Sequence, residues 1–342
     1  MEGFDSIDWV PGLPIELGLE CLTRLPHSAH LVAAGVCRKW RELIQRPEFY
    51  HQRRHLGYTR KVACLVQALP AQALPDGSKP GGSPSYAVTV FDPASGSWER
   101  LNPVPGFPNG LPLFCQLAGC EGKLVAMGGW DPKSYDPVSD VFVYDFTTRE
   151  WRVGAPMPLK RSFFAAAGVG GHVYVAGGHD ESKNALRSAW AYDPRGDEWT
   201  ELPQLSQERD ECEGLAVNGA EFWVVSGYST QRQGAFEGSA EVYEPGAAEW
   251  RRVDGAWELG QCPRSCVGMG KDGRLVSWAE PNSQVGVGAC GVALGELTIL
   301  TGSEYQGAPQ AFYFGGQDGK FARISVPEEF TGFFQSGCCV EI

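Results

Sequence analysis

The sequence predicts a mainly β chain, a β-propeller of four-stranded sheets, preceded by a small all-α segment. Three observations predict it. The phrase "VYDFTTREW", ending at Trp151, returns as "AYDPRGDEW" ending at Trp199 and "VYEPGAAEW" ending at Trp250, with a looser "VFDPASGSW" ending at Trp98, so the tryptophans lie 53, 48 and 51 residues apart. A second marker keeps the period: "LVAMGG" closes at Gly129, "VYVAGG" at Gly178 and "FWVVSG" at Gly227, 49 residues apart each time. Between the markers the runs are short, β-prone and broken by Gly, Asp and Pro, whereas the first fifty residues show helical periodicity and no strand alternation.

The helical part comes first. In "LPIELGLECLTRLPHSAHLVAAGVCRKWRELI", Leu13, Leu17, Leu22 and Leu25, then Leu31, Val36, Trp40, Leu43 and Ile44, recur at helical intervals, and Pro14 and Pro26 punctuate them. Three short helices are expected in a domain at 8–50. So few residues cannot bury that many leucines among themselves, and either the rest of the chain or another protein must cover some of them. His30 and Cys37 read here as core or interface residues rather than ligands. Residues 51–61 follow; the stretch around them carries Phe49, Tyr50 and Leu56 instead of Gly and Ser, so an ordered linker against the first blade is expected.

The propeller is expected over 62–342. Its first blade shows strands at "ACLVQAL", "AVTVF" and "WERL" with no innermost strand ahead of them, while "SGCCVEI" at the chain's end is an unassigned strand of suitable length. That end is expected to return and complete the first blade, closing the ring. Between the first two strands, "LPAQALPDGSKPGGSPS" at 69–85 reads as a mobile loop. Complete units follow at 112–154, 160–203 and 209–254. The glycine marker then falls at Ala279–Glu280 and again at Thr301–Gly302, only 22 residues later instead of 49, and the deficit of 27 matches two strands. The expected ring has six blades, the fifth degenerate, with five as the alternative.

Each glycine pair allows close backbone approach near a crowded axis, and each tryptophan supplies an apolar body between neighbouring sheets, so Trp98, Trp151, Trp199 and Trp250 are expected in the core. A third marker, Arg161, Arg209 and Arg264, stands 15–17 residues before the glycine position of its unit. These arginines are expected around the central channel, either receiving acidic or carbonyl groups of a partner or bracing neighbouring blades. The loops "WDPKSYDPVSD", "HDESKNALR" and "YSTQRQGAFEG" open with Trp130, His179 and Tyr228, and interface hot spots favour aromatics and arginine.

The formal charge of -12 excludes the clustered positive footprint of a nucleic-acid binder. Residues 1–61 hold 9 Lys+Arg against 7 Asp+Glu, so the remaining 281 carry -14. The 11 cysteines lack framework spacing and read as reduced thiols of a cytoplasmic or nuclear protein; Cys262 with Cys266, and Cys338 beside Cys339, have no histidine partner that would make a zinc site. The acidic start "MEGFDSIDWVPG" is no signal peptide, no apolar run spans a bilayer, and Glu341 spoils a prenylation box at Cys339–Ile342. No cofactor, metal or membrane association is expected.

Two resemblances add to this reading. The Gly-Gly, Tyr-Asp, Trp order resembles the kelch repeat over residues 62–342, and Leu13-Pro14-x-Glu16-Leu17, Leu22-x-x-Leu25-Pro26 and Val36-Cys37-Arg38-x-Trp40 are similar to an F-box. Together they resemble plant kelch F-box proteins. That resemblance implies a non-catalytic substrate receptor of a cullin-RING ubiquitin ligase, with Leu13, Pro14, Ile15, Leu17, Leu22, Leu25 and Pro26 on the Skp adaptor and a target protein held by the propeller. The ending "QSGCCVEI" is similar to that of a subgroup whose targets are phenylpropanoid or flavonoid enzymes, such as phenylalanine ammonia-lyase, or type-B response regulators. A ligase-independent scaffold is the alternative. A kelch-type copper oxidase is disfavoured, because only His172 and His179 of six histidines fall in the propeller.

Overall fold

The acid in the repeated phrase makes the turn that the phrase needs. In the computed structural model, which describes residues 9–69, 85–278, 285–306, 308–316 and 320–342, the carboxylates of Asp92, Asp145 and Asp193 accept the N–H two residues on at 2.8–2.9 Å. Four residues after the acid the backbone is left-handed, at Gly96, Arg149, Asp197 and Ala248. The chain has then reversed, and the tryptophan enters the outer strand. Its indole N–H donates to the loop leaving the previous blade: Trp151 to Asn102, Trp199 to Ala155 and Trp250 to Pro203, at 2.7–2.9 Å. The tryptophans pack on the cores with one edge near solvent, so they also fasten blade to blade.

The sheets follow from repeating this unit. Strands β1 (Lys61–Ala68), β2 (Tyr86–Asp92) and β3 (Ser97–Arg100) are completed by β22 (Phe334–Glu341), which pairs antiparallel with β1 from Lys61↔Glu341 to Gln67↔Phe334. Three consecutive sheets come next. They are β4–β7 (Gln116–Cys120, Lys123–Met127, Val141–Asp145, Glu150–Val153), β8–β11 (Ala165–Val169, His172–Ala176, Ala189–Asp193, Glu198–Leu202) and β12–β15 (Glu213–Val217, Glu221–Val225, Ala240–Glu244, Glu249–Val253). A two-stranded sheet, β16 (Val267–Met269) and β17 (Leu275–Ser277), precedes a last four-stranded one, β18–β21 (Val287–Leu294, Leu297–Ser303, Ala311–Gly316, Phe321–Arg323).

The inner strands β22, β4, β8, β12, β16 and β18 neighbour one another in that order around the axis. The described residues therefore form a propeller of five four-stranded blades; the remaining unit is the pair β16–β17 alone, beside a cleft of about 640 Å³ lined by Trp223, Trp257 and Leu275 among others. Ala279 and Glu280 lie outside the described residues, as does the loop expected at 69–85 apart from its end residues. The glycine pair shows why the repeat needs it. A Cβ on Gly128 would stand 2.7 Å from the Phe164 ring, and one on Gly129 only 2.4 Å from the Leu113 carbonyl; both residues also have positive φ.

The N-terminal residues form α1 (Ile15–Thr23), α2 (His30–Val36), α3 (Arg38–Ile44) and α4 (Pro47–His55) around a small core of Trp9, Leu22, Ala33, Leu43, Ile44 and Phe49. Three of these helices fall where helical spacing predicts them. The fourth replaces part of the expected linker, begun by Pro47 at its first turn. Its Arg53, buried, donates to the carbonyls of Thr23, Leu25 and Tyr58 at 2.5–2.7 Å, which ties the helices to the chain entering β1.

The helices rest on one face of the ring. Arg60 pairs with Asp92 at 2.9 Å, His51 lies 3.6 Å from Glu121, and Arg195 donates to His51 at 2.9 Å and pairs with Glu121. Glu341 accepts from Thr59 at 2.5 Å and pairs with Arg54 at 3.3 Å. Arg60 and Ile342 exchange two backbone hydrogen bonds of 2.8 Å, so the terminal strand both closes the ring and anchors the helices.

Candidate protein-binding sites

Every strand pair in the propeller turns at one of two faces. The turns within β4–β5, β6–β7 and β10–β11 meet the helices; the loops between second and third strands, and those between blades, open on the opposite face. Two surfaces facing away from each other are thus available to partners.

On the helical side, Leu13 is 39% and Leu17 49% exposed, Pro14 and Pro26 are exposed, and Ile15 is half-buried. One expected contact is corrected. Leu22, 2% exposed, belongs to the helical core and presents nothing to a partner, and Leu25 is half-buried against the same core. Helical spacing marks a buried stripe and a docking stripe alike, so it could not separate them. Leu31, Val32 and Val36 on α2 are exposed instead, Val32 at 75%. A run of uncovered aliphatic side chains on one small domain is unusual for a surface facing only water.

Between the helices and the ring lie His27 and His30, with ring centroids 5.1 Å apart and His27 6.3 Å from Phe146. Burial, with the neighbouring cationic groups, lowers the His27 pKa to about 3 and that of His30 to about 4. Both imidazoles are therefore neutral, and neither Nε2 has a hydrogen-bond partner.

The open face separates the three marker arginines. Arg161 and Arg209 are fully buried. Arg161 donates to the carbonyls of Gly177 and Ser188 at 3.1 Å and to the Ser188 hydroxyl at 2.9 Å. Arg209 donates to the carbonyls of Ser226 and Ser239 at 2.7 and 3.1 Å, to the Ser239 hydroxyl at 2.9 Å and to Glu241 at 2.9 Å. These two brace the second and third strands of their own blades; with no exposed surface they cannot receive a target. Arg264 alone reaches the mouth of the channel, 29% exposed, 4.2 Å over the Phe163 ring, 5.7 Å from Phe114 and 3.5 Å from Glu211.

The three aromatic loop positions are also brought together, though mostly beneath the surface. Trp130 Nε1 donates to Ser162 Oγ at 2.7 Å, Ser162 Oγ lies 2.9 Å from His179 Nε2, and His179 Nδ1 lies 2.9 Å from Asp210. Tyr228 is buried against Asp210 and Glu211, and burial with those carboxylates pushes its phenol pKa up. Ser162, His179 and Asp210 have the order of a hydrolase triad, but Ser162 is fully buried and its oxygen already accepts from Trp130. The chain works as a polar strap linking three successive blades. His179 and Tyr228 are buried and present no surface to a target, and Trp130 is half-buried at the rim.

The mouth itself is built by residues that spacing did not single out. Phe114, Phe163, Glu211 and Ser265 occupy equivalent places, one per unit, and all have left-handed backbones, with φ of 50–59°. Their common position ahead of "C", "F", "C" and "C" was the available signal. Phe114 and Phe163 lie 4.9 Å apart and both contact Trp130. Around them Tyr135, Leu159, Leu259, Val287, Tyr305 and Phe333 are exposed, all in loops or strand ends of this face. Among the described residues, no group of three or more His, Cys, Asp or Glu could hold a metal ion, and no helix is long and apolar enough to cross a membrane.

Comparison with known proteins fits this architecture. The F-box domain matches residues 10–52, and the Kelch motif matches 114–158 and 160–206. The chain is 33% identical over 360 residues to the F-box/kelch-repeat protein At1g15670 of Arabidopsis thaliana, covering 98% of this chain and all of the relative. The chain belongs to the F-box/kelch-repeat proteins of plants. Two other Arabidopsis thaliana members, At2g44130 and SKIP20, are 42% and 38% identical over 73% of this chain, which spans 66% and 67% of their lengths. In this F-box/kelch protein the matched F-box is the helical body, and the two matched kelch motifs are the sheets β4–β7 and β8–β11.

Proposed function

We propose that this chain is the substrate-recognition subunit of an SCF-type ubiquitin ligase acting in the cytoplasm or nucleus. Its F-box binds the Skp adaptor through Leu13, Pro14, Ile15 and Leu17, aided by the exposed aliphatic residues of α2, and the open face of its propeller holds a target protein. The observation that carries the reading is the opposition of two uncovered apolar surfaces on two bodies joined by ion pairs and hydrogen bonds. A receptor needs that arrangement: it converts ubiquitin transfer into a reaction between two held partners at a set distance, and other subunits of the ligase supply the chemistry.

Phenylpropanoid or flavonoid enzymes and type-B response regulators are the candidate targets suggested by the chain's ending. The ending is the strand that closes the ring, however, so its residues answer first to pairing with β1. The test is co-purification with recombinant Skp adaptor. Wild-type protein should form a stoichiometric complex, and Leu17→Glu should lose it while thermal unfolding is unchanged. Failure of the wild-type protein to bind would favour the ligase-independent scaffold and remove this reading.

A further inference from the structure

Arg161, Arg209 and Arg264 hold the same place in three successive units, and their different surroundings have one cause. The acceptors of Arg161 and Arg209 lie at the end of the second strand and just before the third. The unit β16–β17 has no third strand among the described residues, so the acceptor that precedes the third strand in the other two units has no counterpart among them. Among the described residues, the Arg264 guanidinium makes no hydrogen bond. It lies instead 4.2 Å over the Phe163 ring, beside Glu211.

We infer that Arg264 and Glu211 together read the main chain of an uncharged turn in the target, whose apolar side chain rests on the half-buried Phe114. This deepens the receptor reading proposed above and rests on it. A donor and an acceptor 3.5 Å apart match the carbonyl and the N–H of a peptide backbone, and Phe114 beside them, backed by the buried Phe163, provides an apolar floor. An acidic target motif fits poorly. Glu211 already faces Arg264, and Glu213, which accepts from the Ser265 N–H at 2.5 Å, adds a second carboxyl close by. The propeller also carries the chain's net negative charge, which disfavours an incoming carboxylate.

The test uses the full chain bound to Skp adaptor and a library of random dodecapeptides displayed on phage, followed by affinity measurement on the selected peptides. The selected sequences should share an uncharged turn carrying Leu, Phe or Trp. Their affinity should change by less than about threefold between low and high salt, because main-chain recognition is little screened. Arg264→Gln and Glu211→Gln should each weaken binding about tenfold, and a Glu placed beside the apolar residue should weaken it similarly. Enrichment of Asp and Glu, a steep salt dependence, or indifference to Arg264→Gln would overturn the inference. Phe114→Ser separates it from the reading beneath. Peptides that bind Phe114→Ser as well as wild type are not held at the mouth, and the receptor face falls; peptides lost with Phe114→Ser yet unaffected by Arg264→Gln leave the face standing and remove only this inference.

Discussion

The two faces of the propeller are made from the same repeated strands, yet one is sealed and the other open. On the sealed face, polar and charged side chains from both bodies meet: Arg60 with Asp92, Arg54 and Thr59 with Glu341, His51 with Glu121 and Arg195. On the open face the polar groups are satisfied just below the surface, by Arg161, Arg209 and the strap from Trp130 to Asp210, while apolar side chains remain uncovered above them. The difference teaches that residue type does not decide role here. Arginine is an interface clamp on one face, a buried brace under the other, and at Arg264 an exposed donor.

The largest effect should come from breaking a brace. Arg209→Ala leaves Glu241, itself fully buried, without its cation, and should lower unfolding stability by about 3–5 kcal/mol in chemical denaturation. Arg161→Ala strands only carbonyl and hydroxyl acceptors, with no carboxylate, and should cost less, about 1–3 kcal/mol. The pair Arg209→Met with Glu241→Leu should recover most of the loss, since it removes both charges at once. Equal losses from the two single arginine changes would show that the ion pair is not what distinguishes the blades.

The sealed face should be the acid-sensitive one. His27 and His30 have folded pKa values of about 3 and about 4, below an unfolded value near 6.5. Between pH 6.5 and 4 the unfolded chain binds protons that the folded chain excludes, so their contribution is whole above pH 6.5 and lost as pH falls. Stability should drop by up to about 1.4 kcal/mol per pH unit for each fully neutral histidine. His27→Leu with His30→Leu should flatten that slope. An unchanged slope between pH 6.5 and 4.5 would place the acid sensitivity elsewhere.

Much of this contrast was legible in the sequence, and the rest was hidden for identifiable reasons. Tyr-Asp, Trp and Gly-Gly are readable because each answers a local demand: an aspartate-capped turn, an indole fastening to the previous blade, a backbone so close to its neighbours that a Cβ would stand within 3 Å of them. The short interval pointed to a unit lacking two strands, and the sheet β16–β17 has two strands among the described residues beside five complete blades. The roles of Leu22 and of the arginines were not, because a helical stripe looks the same buried or exposed, and an arginine at a fixed spacing does not say whether a third strand exists to accept its donors. The shared position of Phe114 and Phe163 ahead of a Cys or Phe marked them as equivalent but not as residues of the mouth, since their left-handed backbones are produced by the turn into each inner strand.

The middle of the range tests the fastening between blades. Trp199→Phe keeps the ring packed against Tyr192 and removes the N–H that reaches Ala155, so it should cost about 1 kcal/mol. A loss as large as that of Arg209→Ala would make the indole a core residue first and a fastener second.

The smallest effect should be the most informative about the open face. Arg264→Ala removes a half-exposed side chain whose one ion pair, at 3.5 Å to Glu211, lies in high dielectric and contributes little, so stability should move by no more than about 0.5 kcal/mol. The same change made at Arg209 should be destructive. If Arg264→Ala instead cost several kcal/mol, the residue would be a third brace with acceptors of its own, and the difference between the complete blades and the two-stranded unit would not reach the mouth of the channel. If stability held while target capture fell, the uncovered face would be sustained by a side chain that the fold itself does not need.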